Sequence, residues 1–308
     1  MCCLFGLFDY GRRLSAEQKT QVIRILATAA EARGTDAAGI AYSVGGQLRI
    51  VKSPGPAHKA RFRVPVGANV VMGHTRMTTQ GSAQKNRNNH PFMGKARSQP
   101  FALAHNGVLW NDANLRERLN LPATEIETDS YVAVQMIERH GKLDFQSLKS
   151  MAELLEGSFT ITVLSRNNDL YIVKGDSPFC LYRYPGLGIY LYASTSEILG
   201  ESLRHIVISG DAPEKIKLNC GAILRIRPDG RMESATFDAS NLYGFSYGYW
   251  PRRSRRRRMT ASAFQQGGAD ALRMVAGAFG YTPEDIDELL ADGFTVEELE
   301  DYLYCGEI

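Results

Sequence analysis

The chain opens with Met1-Cys-Cys-Leu-Phe-Gly-Leu-Phe-Asp9, two adjacent cysteines followed by an apolar run. From Cys3 onward the run is short and aromatic, which predicts a buried strand. Aminopeptidases remove an initial Met when the next residue is small, so we expect Cys2 to become the N-terminal residue. It would then carry a thiol, with an ordinary pKa of ~8.5, and an α-amine with a pKa near ~7.7–8.0. A nucleophile and a general base would share one residue. The alternative is a small buried hydrophobic residue at the start of a strand.

Length and composition indicate a globular protein. The 308 residues allow two domains, and 44% of them are hydrophobic, which is ordinary for a sizeable core. No apolar run reaches the ~18 residues that cross a bilayer, and the N-terminus lacks the pattern of a secretory signal. The five cysteines are scattered, without the spacing of a metal site or a disulfide framework. We therefore expect a cytoplasmic protein with reduced thiols, no metal, no cofactor and no membrane partner.

Charge divides the chain near residue 264. From residue 264 to the end there are eleven acidic residues and one basic residue, Arg273, which gives a net charge of −10. Because the whole chain carries +3, residues 1–263 carry +13. Six of these positive charges stand in the run Arg252–Arg258, directly after the aromatic, glycine-rich stretch Tyr243–Trp250. A basic run before an acidic tail is typical of a linker. We predict a first domain over residues 1–240, an aromatic and arginine-rich linker over 241–263, and an acidic helical module over 264–308.

The acidic module is expected to be a helical hairpin. Thr282 and Thr295 each precede a helical pattern and are followed three residues later by an acidic residue, as in a capping box. Pro283 stands at the first helical position of the first helix, and Gly293 suits the stop between the two.

Groups of short strands with helices between them are predicted over residues 1–240. Ser15-Ala-Glu-Gln18 is a capping box that opens a helix, and Arg33-Gly34 suits its end. Further helices are predicted at Asp112–Leu119, Asp129–Glu138, Asp144–Leu155 and Ser196–Leu203. Further strands are predicted at Gly39–Val44, Gln47–Lys52, Asn69–His74, Phe101–His105, Gly157–Leu164, Leu170–Lys174, Phe179–Tyr184, Gly188–Ala193, Gly221–Arg227 and Met232–Phe237. This grouping indicates antiparallel sheets covered by helices, an α+β protein.

Four short segments carry the polar residues of interest besides Cys2. They are Arg33-Gly-Thr-Asp-Ala-Ala-Gly-Ile40, Gly73-His-Thr-Arg-Met-Thr-Thr-Gln-Gly81, Ala104-His-Asn-Gly107 and Thr128-Asp-Ser130. Alone, each has an ordinary structural explanation: Asn106-Gly107 is typical of a tight turn, Arg76 of an ion pair, and Asp129 of a helix N-cap.

Together and in this order, the segments and Cys2 resemble the glutaminase domain of class II glutamine amidotransferases. These are N-terminal-nucleophile (Ntn) hydrolases such as amidophosphoribosyltransferase and glucosamine-6-phosphate synthase. The resemblance covers roughly residues 2–237 and includes Leu155-Glu-Gly-Ser-Phe159, Tyr192-Ala-Ser-Thr195 and Asn219-Cys-Gly-Ala222. It implies a four-layer αββα sandwich, which agrees with the antiparallel sheets expected from the strand pattern.

The resemblance also implies a role for each residue. Cys2 would form a thioester with glutamine, while the Asn106 side chain and the Gly107 N–H would hold the tetrahedral oxyanion. Arg76 would bind the α-carboxylate of the substrate through its planar fork, and Asp129 its α-ammonium. The backbone of Thr78, Thr79 and Gln80 would assist at the carboxylate.

Nothing after residue 237 is long enough for a synthase domain, so we expect the ammonia acceptor on a separate partner protein. One alternative is an Ntn hydrolase of another γ-glutamyl or small amide compound. Another is a non-catalytic adaptor that works through the arginine run and the acidic tail. The arginine run itself fits a solvated linker or pairing with the tail, a partner protein, or nucleic acid.

Overall fold

The computed structural model describes residues 2–206, 212–242 and 282–294, together with Arg273 and Leu299. The chain divides into two units, residues 1–242 and 243–308. Most of the predicted linker, including the arginine run, and the second helix of the predicted hairpin lie outside the described residues. No helix in the described part is both long and apolar enough to cross a membrane.

The first sheet of the described structure has seven strands, and each pair of neighbours runs antiparallel. They are β1 (Cys3–Asp9), β2 (Ala37–Val44), β3 (Gln47–Pro54), β4 (Val70–Arg76), β9 (Cys180–Tyr184), β10 (Ile189–Ala193) and β11 (Glu214–Ile216). Their order across the sheet is β11-β9-β10-β1-β4-β2-β3, so the N-terminal strand lies at the centre.

The second sheet of the described structure has six strands, again paired antiparallel. They are β5 (Phe92–Ala96), β6 (Gln99–Leu109), β7 (Gly157–Ser165), β8 (Leu170–Lys174), β12 (Ala222–Ile226) and β13 (Met232–Thr236). Their order is β13-β12-β8-β7-β6-β5. Strands β5 and β11, each at the edge of its sheet, were not predicted from the sequence.

The helices of the described residues begin and end close to the predicted positions. They are α1 (Ala16–Ala29), α2 (Asp112–Arg118), α3 (Tyr131–His140), α4 (Phe145–Ala152), α5 (Ser196–His205) and α6 (Pro283–Ala291). Both halves of the predicted capping box at Ser15 and Gln18 are present at the start of α1. In the second unit, Thr282 caps α6 through a capping box with Asp285, and Pro283 stands in its first turn.

Strand β1 explains how the layers are arranged. All seven of its residues are buried, because it is covered on both faces. Successive side chains of a strand point to opposite faces: Cys3, Phe5 and Leu7 join the apolar cluster with α1 and α5, whereas Leu4 and Phe8 join the cluster with residues of the second sheet. Helices α3 and α4 contact β5 and β12 of the second sheet. The order helix, sheet, sheet, helix confirms the predicted four-layer αββα sandwich.

Candidate active site

One small pocket brings together most of the residues predicted to act on a substrate. Its lining residues are Cys2, Arg76, Met77, Thr79, Gln80, His90, His105, Gly107, Thr128, Asp129 and Ser130. Thr78 and Asn106 are neighbours of lining residues but do not line the pocket. The free volume is about 10 Å³, roughly the room for a single water molecule. The pocket is therefore closed in this structure.

The β-sheet register positions Cys2 and Arg76 at the same end of the first sheet. Cys3 on β1 lies opposite Thr75 on β4, so the residues that precede and follow them, Cys2 and Arg76, are neighbours across the sheet. Side-chain alternation along β1 turns Cys2 to the same side as Leu4, which is the side of the second sheet. The nucleophile candidate thus faces β6, the strand that carries Asn106 and Gly107.

The Cys2 side chain is partly buried beside the segment that follows β4. Its Sγ donates a long hydrogen bond of 3.5 Å to the Met77 carbonyl oxygen, and Arg33 Nε donates to the Cys2 carbonyl oxygen at 3.0 Å. Burial raises the pKa of the Cys2 thiol, although the bond to the Met77 backbone opposes this effect. Since the thiolate is the reactive form, the thiol needs a nearby base.

Arg76 is a buried cation held by neutral oxygen atoms. Its side chain is almost inaccessible, with 3% of the residue exposed. Nη1 donates to Asn89 Oδ1 at 2.7 Å, and Nη2 donates to the carbonyl oxygens of Gln80 and Gly81 at 2.5 and 3.0 Å. Among the described residues, no carboxylate oxygen lies within 4.0 Å of this guanidinium, the distance limit for an ion pair. The carboxylates of Asp36 and Asp129 act on its charge only from beyond that distance.

Asp129 is the opposite case, a buried anion held by two hydrogen-bond donors. Oδ2 accepts from the Leu109 N–H at 2.7 Å, and Oδ1 accepts from the Ser130 hydroxyl at 3.1 Å. No cationic nitrogen of the described residues lies within 4.0 Å of the carboxylate. Helix α3 begins at Tyr131, and the Asp129 carboxylate bonds to Leu109 and Ser130 and not to the backbone of its first turn. Asp129 is thus turned into the pocket instead of capping the helix.

Asn106 and Gly107 lie on β6, opposite Thr160 and Phe159 of β7. The Asn106 Nδ2 donates to Ser194 Oγ at 3.3 Å, while its Oδ1 is buried without a hydrogen-bond partner among the described residues. Gly107 has φ = 134°, and a Cβ atom there would lie 1.9 Å from the Ser158 carbonyl oxygen. Only glycine fits this position.

The segment from Met77 to Gly81 is tied to its surroundings by backbone contacts. Besides the bonds from Arg76 to the Gln80 and Gly81 carbonyls, the Thr78 N–H donates to Asp36 Oδ2 at 2.8 Å. A Cβ atom on Gly34 would lie 2.6 Å from the Met77 backbone nitrogen. The segment Arg33–Ile40 of the sequence motif therefore supports the loop that covers the pocket.

Sequence reasoning gave no role to three buried histidines at or near the base of the pocket, although two of them, His74 and His105, stand in segments that it considered. The ring centroids of His74 and His90 are 4.2 Å apart, and those of His90 and His105 are 6.5 Å apart. Burial lowers the pKa of all three, to about 3 for His74. The rings are therefore neutral near pH 7. No group of three or more His, Cys, Asp or Glu side chains in the described part of the chain is arranged to hold a metal ion.

Comparison with known families agrees with this arrangement. The family model for class II glutamine amidotransferases matches residues 1–159, which is more than half of the chain. The chain therefore belongs to the class II glutamine amidotransferases, as the sequence motifs predicted.

Two similar proteins are glutamine–fructose-6-phosphate aminotransferases (isomerizing). The protein of Halalkalibacterium halodurans is 32% identical over 167 residues, which cover 52% of this chain and 27% of that protein. The protein of Streptococcus pyogenes serotype M6 is 32% identical over 198 residues, which cover 61% of this chain and 30% of that protein. The chain thus matches less than a third of the length of these relatives.

Two solved structures share the fold. Glutamine phosphoribosylpyrophosphate amidotransferase from B. subtilis, complexed with ADP and GMP, superposes with a TM-score of 0.60 at 20% identity, covering 78% of this chain and 50% of that one. A structure described as the allosteric regulatory enzyme of purine biosynthesis gives a TM-score of 0.63 at 20% identity, covering 79% and 50%. Both likenesses support the Ntn-type sandwich.

Proposed function

We propose that the protein hydrolyses the side-chain amide of glutamine to glutamate and ammonia. The observation that carries this proposal is the pair of opposite buried charges, Arg76 and Asp129, that line one pocket with Cys2. Buried charges without a direct partner are unfavourable, and no described residue forms an ion pair within 4.0 Å with either of them. A free α-amino acid would supply a carboxylate for the guanidinium and an ammonium group for the carboxylate.

The proposed chemistry needs no group beyond the chain and water. After removal of Met1, the Cys2 α-amine, directly or through a water molecule, takes the thiol proton. The sulfur then attacks the amide carbon of glutamine, and a tetrahedral oxyanion forms. When the C–N bond breaks, the side-chain amide nitrogen takes from the Cys2 α-amine the proton that came from the thiol and leaves as ammonia. Water then attacks the γ-glutamyl thioester, which yields glutamate and restores the thiol.

Asn106 and Gly107 are proposed to stabilise the oxyanion. Two donors aimed at the developing negative charge are a large part of catalysis in such reactions. Gly107 is a lining residue of the pocket, and we assign its backbone N–H as one of the two donors. The Asn106 Nδ2 would exchange its weak 3.3 Å bond to Ser194 Oγ for the stronger bond to the oxyanion.

The loop Met77–Gly81 is proposed to open when glutamine enters. The closed pocket of about 10 Å³ is far too small for an amino acid. In the closed form the Gln80 and Gly81 carbonyls occupy Nη2 of Arg76, the group that we assign to the substrate carboxylate. The backbone of Thr78, Thr79 and Gln80 would close over the bound carboxylate afterwards.

The ammonia acceptor is proposed to lie on a partner protein. The relatives named above are aminotransferases that are more than three times as long as the matched segment. Within the described part of this chain, the first unit contains the amidotransferase sandwich, and α6 is the only α-helix longer than one turn described in the second unit. We propose the acidic module, residues 264–308, as a candidate for docking that partner.

The proposal is tested by measuring glutamate and ammonia released from glutamine by the wild type, Cys2→Ala and Asp129→Asn. The wild type should release both products in equal amounts, and Cys2→Ala should release neither. Asp129→Asn keeps the side-chain shape and removes the charge, so it should abolish turnover at ordinary glutamine concentrations. Full glutaminase activity in Asp129→Asn would contradict the assignment of the substrate, and activity in Cys2→Ala would contradict the nucleophile.

A further inference from the structure

The Ser130 hydroxyl contacts two other side chains of the pocket wall. Ser130 directly precedes α3 but already has helical dihedral angles (φ −57°, ψ −27°), and its side chain makes no capping bond within the described structure. Its Oγ donates to Asp129 Oδ1 at 3.1 Å and lies 2.8 Å from His105 Nδ1. The hydroxyl is therefore available to the carboxylate in the pocket.

The direction of these hydrogen bonds follows from counting protons. A serine hydroxyl has one proton to donate. That proton is directed to Asp129, so Ser130 Oγ must accept from His105 Nδ1. A neutral ring carries one N–H, and we assign it to Nδ1 because this contact, at 2.8 Å, is shorter than the 3.3 Å contact of Nε2 with the Ser158 carbonyl oxygen. The two hydrogen bonds therefore run in series, from His105 Nδ1–H to Ser130 Oγ and from Ser130 O–H to Asp129 Oδ1. All three residues are at least 95% buried, so water does not compete for these bonds.

Asp129 needs this second contact to hold a fixed orientation. The terminal torsion of an aspartate side chain is broad, and the bond from the Leu109 N–H restrains Oδ2 only. The Ser130 hydroxyl restrains Oδ1, so that both oxygens are held from the protein side. The plane of the carboxylate is then defined before a ligand arrives, which is the condition for strong binding of a charged group.

We propose that Ser130 and His105 are positioning residues that orient the Asp129 carboxylate toward the α-ammonium group of the substrate. This inference rests on the proposed glutaminase function. Neither residue takes part in bond making or breaking; each acts on the substrate through Asp129. Ser130 holds the carboxylate, and His105 holds the Ser130 rotamer.

Steady-state kinetics with glutamine test the inference in wild type, Ser130→Ala, Ser130→Thr and His105→Gln. Ser130→Ala should raise KM roughly tenfold, the loss of one hydrogen bond to a charged group, and change kcat less than about threefold. Ser130→Thr keeps the hydroxyl and should restore a KM within about threefold of wild type. His105→Gln should raise KM by a smaller factor than Ser130→Ala. It also tests the inference independently if Ser130→Ala does not fold.

Inhibition by glutaramate, which is glutamine without its α-amino group, locates the effect. Because this compound has no ammonium group, its inhibition constant should be the same for wild type and Ser130→Ala. Ser202→Ala is the matched control: Ser202 is buried on α5 and donates only to the Ile198 carbonyl oxygen, so both constants should stay at wild-type values.

The outcomes separate the inference from the function on which it rests. A wild type that does not hydrolyse glutamine overturns the proposed function and this inference with it. An active wild type with an unchanged KM in Ser130→Ala and His105→Gln overturns the positioning role alone. A parallel rise of the glutamine KM and the glutaramate inhibition constant also overturns it, since the whole pocket would then have been disturbed.

Discussion

The buried histidines beneath the pocket predict that the fold loses stability in mild acid. His74 is fully buried, its Nε2 lies 3.0 Å from the His105 carbonyl oxygen, and burial lowers its pKa from 6.5 to about 3. In the unfolded chain the same imidazole is in water and takes up a proton near its ordinary pKa of ~6.5. Between these two values the unfolded state binds more protons than the folded state.

The sign and size of the effect follow from proton linkage. Where the unfolded state binds more protons, the free energy of unfolding falls as the pH is lowered. From pH 7.5 to pH 5.0, His74 protonates in the unfolded state only. The pH falls about 1.5 units below the ordinary histidine pKa, and each unit lowers the free energy of unfolding by ~1.36 kcal/mol, so about 2 kcal/mol is lost. Burial also lowers the pKa of His90 and of His105, so the whole chain should lose more than this.

Urea denaturation at pH 7.5 and pH 5.0 measures the His74 share as a difference between wild type and His74→Gln. The variant is expected to be less stable than wild type at pH 7.5, but it should lose about 2 kcal/mol less on going to pH 5.0. His205→Gln, at an exposed position on α5, is the control and should lose as much as wild type. Equal losses in wild type and His74→Gln would refute the reasoning that His74 is held neutral by burial.

Three further changes have defined outcomes. Arg76→Lys removes the planar fork and should lower kcat/KM for glutamine at least tenfold, measured by glutamate release; wild-type values would exclude bidentate carboxylate binding. Lys19→Met leaves Asp9 buried without its partner at 3.1 Å and should cost about 3–5 kcal/mol in urea denaturation. The double variant with Asp9→Asn should recover part of that loss, and no recovery would argue against charge burial as the cause. Gly107→Ala should give insoluble or inactive protein, because its Cβ would meet the Ser158 carbonyl oxygen; wild-type turnover and melting temperature would contradict this.

Most of the fold could be predicted because its signals are local. The apolar run of β1, the capping box of α1 and the turn residues between strands each act within a few residues of sequence. The two strands that were missed, Phe92–Ala96 and Glu214–Ile216, lie at sheet edges. Both are short, five and three residues, and contain few β-branched or aromatic residues, so their own sequences predict a strand only weakly.

The sequence named many of the residues that line the candidate pocket, but it did not predict their geometry. Six residues predicted to act on the substrate line the pocket; they are Cys2, Arg76, Thr79, Gln80, Gly107 and Asp129. Spacing along the chain could not show that α3 begins after Ser130 and that the Asp129 carboxylate faces the pocket. Nor could it show the stacking of His74 on His90, since these residues meet only when the strands have paired.

The central claim is that Cys2 is a processed nucleophile in a pocket that recognises glutamine. The most direct test is the intact mass of the purified protein before and after incubation with 6-diazo-5-oxo-L-norleucine, a glutamine analogue that alkylates such a nucleophile with loss of dinitrogen. We predict a mass without Met1 and a single adduct that peptide mapping locates at Cys2 and that excess glutamine suppresses. A retained Met1, or a processed protein that takes up no adduct, would contradict the claim.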